Sequence, residues 1–251
     1  MQKPGATLTL LILGAILLAG WAMRAVHLDA DPPEKLSWSQ GPYTDGALVV
    51  HNARNDALFG SWIRDHANDI YFYPLTNLAA RAVFAVAGVG RGQAAFANTV
   101  FGVLSILLFG VAIMRACGRA PAVLFTLFAA FHYYLVMYDR LAIAEPAMIF
   151  LAGLAVFAFQ SIAIGRGGGR ARAGGFALAA PVAAGFFAAA AVLIGKAHAL
   201  YFPVAMLLAI VIAAGAGKKK DASRSRNRRL AFVVLGMAVA ALVWSALLGF
   251  V

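Results

Sequence analysis

Charge, cysteine and strand-like alternation are all scarce in this sequence. Only 12% of its 251 residues are charged, against 63% hydrophobic, and the mean hydropathy is +0.82. Soluble domains carry about 25% charged residues to cover their surface, so the composition excludes a soluble globular domain. The single cysteine, Cys117, excludes an internal disulfide and a cysteine-built zinc site, and is expected at a helix end as a small apolar residue. Evenly spaced short alternating strands are missing, which excludes a transmembrane β-barrel. The glycines of GRGGGRARAGG (165–175) lack the strand-turn-helix setting of a phosphate-cradling loop. Acidic residues number 10 against 21 basic ones, for a net charge of +11. Those basic residues sit in short tracts between apolar runs, which is the pattern of membrane orientation rather than of nucleic-acid binding.

The apolar runs are long. A helix crossing roughly 30 Å of hydrocarbon needs about 20 residues, and runs of that order occur at 7–25, 95–114, 120–137, 146–164, 175–194, 199–216 and 230–250. The expectation is an all-α polytopic membrane protein with about seven transmembrane helices, forming one module over 1–251. The first run lacks a clear small-residue cleavage site before Arg24, so it reads as a retained span rather than a removed signal peptide. The segment YFYPLTNLAARAVFAVAGVG (71–90) is apolar but interrupted by Pro74, Asn77 and Arg81, and is expected to lie in the interface rather than to cross.

The charge map sets the orientation. With seven spans and an internal N-terminus, the inner side receives Lys3, Arg115, Arg119, Arg166, Arg170, Arg172, Lys218, Lys219, Lys220, Arg224, Arg226, Arg228 and Arg229, which is 13 of the 21 basic residues. The acids Asp29, Asp31, Glu34, Asp45, Asp56, Asp65, Asp69, Asp139 and Glu145 fall outside, and only Asp221 inside. In this arrangement the loop 28–94, the turn 137–146 and the turn 194–202 emerge on one outer face, where they can build one site. An eighth span at 71–90 would separate the first from the other two. The loops 165–175 and 217–229 read as low-complexity solvated connectors in contact with anionic lipid heads. The alanine-rich stretch 177–192 points to closely packed helices.

Three polar constellations lie on that face. In GPYTDGALVVHNARN (41–55), a helix is expected from about 45 to 59 with Thr44 or Asp45 as N-cap. Asp45, Asn52 and Asn55 approach one face of it, while Val49, Val50 and Phe59 turn toward the membrane. Asp45 reads equally as a cap or as a general base for an alcohol; Asp29 and Asp31 are a weaker pair of the same chemistry. His51 is a candidate base or ligand but reads first as a hydrogen-bonding loop residue. In YDRLAIAEP (138–146), Asp139, Arg140 and Glu145 form either a structural ion-pair network or a phosphate site with Arg140 as clamp and Glu145 as its orienting partner. In IGKAHALYF (194–202), Lys196 is a lone outer cation with His198 two residues on, either a snorkelling lysine or a ligand for an anionic lipid head.

These stretches, with the YPL helix start at 73–75 and GKAHALYFP, resemble the GT-C superfamily of polyprenyl-phosphate-sugar-dependent glycosyltransferases, especially the family 39-like proteins that include protein O-mannosyltransferases and aminoarabinose transferases. The resemblance runs over about 7–250. It implies juxtamembrane helices in the long first outer loop and an inverting displacement at the sugar's anomeric carbon. Asp45 would activate an acceptor hydroxyl of a lipid, glycan or protein. Arg140 and Lys196 would stabilise the leaving lipid phosphate, with Glu145 orienting them, and Asp139, His51, Asn52, Asn55 and His198 are candidate substrate contacts. Relatives often carry a second acid after the motif aspartate, where this chain has Gly46; a divalent metal stays open as an alternative but the sequence does not support one there, and it establishes no cofactor. The chain ends at Val251 where relatives usually continue, so a fragment or a minimal module is expected. The implied setting is a prokaryotic plasma membrane with an extracytoplasmic site. The rival reading is a membrane transporter or lipid-phosphate-binding protein, which would place its ionisable groups near mid-membrane.

Overall fold

The computed structural model describes residues 4–30, 46, 48–62, 72–164, 176–195, 204 and 220–250. Every regular element among them is helical: α1 (Pro4–Ala25), a 3-10 turn at Leu28–Ala30, α2 (His51–Phe59), α3 (Pro74–Ala87), α4 (Arg91–Cys117), α5 (Arg119–Phe131), α6 (Tyr133–Asp139), α7 (Glu145–Ile164), α8 (Phe176–Ala190) with a π turn at Ala191–Gly195, and α9 (Lys220–Phe250). The chain divides into two compact units, Met1–Phe150 and Leu151–Val251, and the division falls within α7.

Among the described residues two helices, Thr7–Ala25 and Arg91–Cys117, are long and apolar enough to cross a membrane, and α5 with α6 makes a third if the bent pair is one span. The protein is therefore an integral membrane protein. Of the other expected spans, 146–164, 175–194 and 230–250 fall on helices whose qualifying apolar stretches are shorter, Glu145–Gln160, Ala179–Leu193 and Leu230–Val243. The run 199–216 lies, apart from Val204, outside the described residues. The segment 71–90 forms the 14-residue α3. At 1.5 Å per residue α3 is about 21 Å long, short of roughly 30 Å of hydrocarbon. Pro74 opens it at the position where a missing N–H costs nothing. The expected connector 217–229 differs: from Lys220 onward it is already α9, because KDASRSRNRR contains neither glycine nor proline to stop a helix.

In the first unit α1 packs on α4 and α5, α3 on α4, and α2 on α3. Small residues set the close approaches. A Cβ at Gly20 of α1 would lie 2.9 Å from that of Ala130 in α5, and one at Gly110 of α4 would lie 2.7 Å from Thr126 Oγ1. Gly118, at φ 95°, joins α4 to α5 in a backbone conformation that side chains disfavour. In the second unit α8 packs along α9. Ala184, Ala188 and Val233 are fully buried at that contact, and a Cβ on Gly185 or Gly236 would strike a backbone carbonyl, of Val233 or Val182 respectively. The alanine-rich stretch thus packs closely, as its composition predicts.

The span expected at 120–137 is broken at His132, where α5 and α6 meet at 59°. In a continuous helix the carbonyls of Ala129 and Ala130 would accept from the N–H groups of Tyr133 and Tyr134. Here Arg24 of α1 takes both instead, Nη2 donating to Ala129 O at 3.1 Å and Nη1 to Ala130 O at 2.7 Å. A side chain inserted into the backbone ladder is a recognised cause of a sharp bend without proline.

Candidate functional site

Arg24 is fully buried. Besides the two α5 carbonyls, Nη1 donates to Gly20 O at 3.0 Å and Nε to Asp139 Oδ2 at 2.7 Å. Four of its five N–H groups are thereby satisfied and its charge is paired. Asp139 is buried in turn, and Gly102 of α4 makes room for it, since a Cβ there would collide with the Asp139 carboxylate. The sequence offers Arg140 as a partner for Asp139; the structure gives it Arg24, 115 residues away in the chain. Arg140 turns back to α1, with Nη1 donating to Met23 O at 2.6 Å and Nη2 to His27 O at 3.1 Å. Two of its five donors are thus committed to backbone.

After Arg140 the chain makes a tight turn into α7. Leu141, Ala142, Ile143 and Ala144 are all buried, and Glu145 opens the helix half-buried. The buried amide of Asn98 in α4 holds this turn, donating to Leu141 O at 2.6 Å and Ile143 O at 2.7 Å. A carboxylate in the first turn of α7 also complements the helix dipole.

The segment before α3 packs onto the same turn. Val49, Val50 and Ala53 form one buried cluster with Ala80 and Phe84 of α3, Ala94 of α4 and Ala142. Val49 and Val50 therefore face protein rather than lipid, whereas Phe59 is 66% exposed. Gly46 lies against Ala142, where an added Cβ would sit 3.8 Å from the Ala142 Cβ. The helix expected over 45–59 is helical at Gly46, Leu48 and Val49, turns at Val50 and resumes as α2. Asn77 of α3 explains that turn, donating to Val49 O at 2.5 Å and accepting from Ala53 N–H at 3.2 Å.

His51 Nδ1 meets Leu48 O at 3.2 Å and Asn52 Nδ2 lies 3.3 Å from Nε2, a pattern that fits the Nδ1–H tautomer and the hydrogen-bonding role. Asn52 is fully buried and Asn55 half-buried. Asp56 pairs with Arg81, tying α2 to α3. Asp29 accepts the Gly92 N–H at 3.0 Å, capping the start of α4 from a distant segment.

Asp31, Asp45, Lys196 and His198 lie outside the described residues. The first unit brings Asp139, Arg140 and Glu145 together with the helix that carries His51, Asn52 and Asn55, through Ala142. Sequence reasoning missed Arg24, Asn77, Asn98 and Gly102. The signal for the first three was available: a lone polar side chain inside or at the end of an apolar run is costly unless partnered.

An apolar cavity of about 240 Å³ opens beside Asp139, bounded by Gly102, Ile106 and Phe109 of α4, Phe125 and Ala129 of α5, and Ile149. Among the described residues no three His, Cys, Asp or Glu side chains are grouped to hold a metal. Cys117 ends α4 and is exposed, the helix-end position expected of it.

No known family's sequence profile matches the chain, and no curated protein matches it in sequence. In structure it resembles the S. cerevisiae protein O-mannosyltransferase Pmt1–Pmt2 complex bound to the sugar donor, with a TM-score of 0.68 at 14% identity. The match covers 98% of this chain and 34% of that one, so the chain spans about a third of the length of its structural counterpart. At this identity the likeness is one of fold.

Proposed function

We propose that the chain is the membrane module of a glycosyltransferase that moves a sugar from a polyprenyl-phosphate carrier to an acceptor hydroxyl on the extracytoplasmic face. The fold likeness supports a transferase of GT-C type. The observation that carries the site is the contact of Gly46 with Ala142. It seats the residue next to Asp45 against the turn that bears Arg140 and Glu145.

In this reading Asp45 accepts the proton of the acceptor hydroxyl as its oxygen attacks the anomeric carbon. The bond from that carbon to the phosphate oxygen breaks with inversion, and the polyprenyl phosphate leaves carrying the electron pair. Arg140 and Lys196 place positive charge where that negative charge develops, and Glu145 orients them. The topology that serves this chemistry has seven spans, an internal N-terminus and the three polar segments outside, in a prokaryotic plasma membrane.

A transporter would use buried intramembrane charge. Arg24 and Asp139 are the described pair of that kind, but four guanidinium donors are bound to Asp139 and helix carbonyls. That is the pattern of a structural clamp, and it favours the enzyme.

The test is transfer from a labelled polyprenyl-phosphate sugar by membranes containing the chain, compared with Asp45→Asn. Loss of a general base lowers turnover by about 10²–10⁴-fold. Transfer at the wild-type rate by the variant would remove Asp45 from the base role.

A further inference from the structure

Arg24 and Arg140 hold each other's segments in place. Arg24, on α1, bonds the last carbonyls of α5 and the carboxylate of Asp139. Arg140, the next residue after Asp139, bonds the carbonyl of Met23, the residue before Arg24, and that of His27, whose φ of 52° turns the chain away from α1. The end of α1 and the start of the 140–145 turn are thus cross-tied in both directions, by Arg24 in the buried interior and by Arg140 at the exposed edge. Gly20 lets α1 approach Ala130, and Gly102 opens the seat for Asp139. The direction of the Arg140 guanidinium is consequently set by α1 rather than by its own short helix α6.

We infer that Arg24 is a positioning residue for Arg140: it sets the register between α1 and the 140–145 turn, and through it the place where a lipid-linked phosphate meets the Arg140 guanidinium. This rests on the proposed transferase reading for the phosphate, but the cross-tie itself does not. A planar fork is what the site requires, because four N–H groups diverge from Arg24 to four acceptors. Lysine at this position keeps the charge and loses the fork. Arg24→Lys therefore leaves Asp139 with a cation nearby while freeing α5 and the turn to shift against α1.

The full chain in lipid nanodiscs, in a Cys117→Ser background, is spin-labelled through Val26→Cys and Tyr138→Cys, both exposed positions. A single narrow interlabel distance is expected, and Arg24→Lys broadens or displaces it; an unchanged narrow distance in Arg24→Lys overturns the cross-tie. In transfer assays with a polyprenyl-phosphate sugar, Arg24→Lys is expected to raise the KM for the donor at least tenfold, with the acceptor KM unchanged and kcat within about threefold. A fall in kcat at unchanged donor KM would mean lost folded protein rather than lost positioning, and would overturn the inference. Absence of transfer by the wild-type chain overturns the assignment of a donor phosphate, while the label distance still decides whether Arg24 holds the turn.

Discussion

Arg24 caps the end of α5 from α1, and Arg140, just beyond α6, caps the end of α1 in return. The guanidinium of Arg24 takes the carbonyls of Ala129 and Ala130 where α5 ends, and that of Arg140 takes the carbonyls of Met23 and His27 where α1 ends. Basic side chains at helix C-termini satisfy carbonyls that have no partner within the helix and oppose the negative end of the dipole. The carbonyls of Ala129 and Ala130 are buried in an apolar bundle, so Arg24 takes the place of solvent there, while Arg140 ties down the exposed end of α1. The break at His132 becomes tolerable for the same reason, and the turn bearing Glu145 is fixed as a consequence.

Removing the buried cation alone should be far worse than removing the pair. Arg24→Ala leaves Asp139 buried without its counter-ion, which typically costs about 3–5 kcal/mol. Arg24→Ala combined with Asp139→Ala removes the uncompensated charge, leaving mainly the exposed helix end and a cavity. Denaturant unfolding in mixed micelles should therefore show a double mutant less destabilised than the sum of the two singles. Additive losses would mean that the pair contributes no coupling.

Gly102 and Gly14 form a matched test of close packing. A Cβ at Gly102 would strike the Asp139 carboxylate, whereas one at Gly14 meets nothing within 4 Å. Gly102→Ala should destabilise by about 1–3 kcal/mol, the usual cost of overpacking, and displace Asp139 from Arg24. Gly14→Ala should be neutral or slightly stabilising, because alanine is the better helix former. Thermal unfolding in detergent separates the two, and equal melting temperatures would contradict the described seat of Asp139.

The class of fold and the segments that meet were legible from composition, run length and charge placement, because membrane hydrocarbon imposes those directly. The contact between Gly46 and Ala142 was likewise foreseeable once the charge map put their segments on one face. Partner identity was not. Asp139 beside Arg140 reads as a local ion pair, yet Arg24 wins because it also reaches two carbonyls that the break at His132 releases. That break carries no glycine or proline to announce it. Val49 and Val50 read as lipid-facing, since an apolar side chain in a membrane protein has two hydrophobic environments available and the pattern alone does not choose between them. Here α3 supplies the second environment, through Ala80 and Phe84.

Asn98 should be the most sensitive polar residue of α4. Its two donors serve the carbonyls of Leu141 and Ile143. Asn98→Leu keeps the branched shape but strips both donors, at about 1–3 kcal/mol for each carbonyl left buried. Thermal unfolding with and without the substitution measures the loss. The companion change Ser105→Ala removes only a bond from Oγ to the Phe101 carbonyl of the same helix, so it should cost much less; a comparable loss would argue against a special role for the amide.

The packing of the first loop on Ala142 dictates a topology. Val49 and Val50 share a buried cluster with Ala142, so Gly60, close after α2, and Leu141 must lie on one side of the membrane. Between them runs α4, whose 27 residues extend about 40 Å, ample for a crossing. Gly118 at its far end therefore lies on the opposite side, next to Arg115 and Arg119, where the positive-inside bias puts the cytoplasm. A phosphatase reporter that is active only outside the cytoplasm should be active when fused after Gly60 and after Leu141, and inactive after Gly118. Activity after Gly118 with silence at the other two sites would invert the chain and place the candidate site inside. Activity at only one of Gly60 and Leu141 would break the cluster on which the site depends.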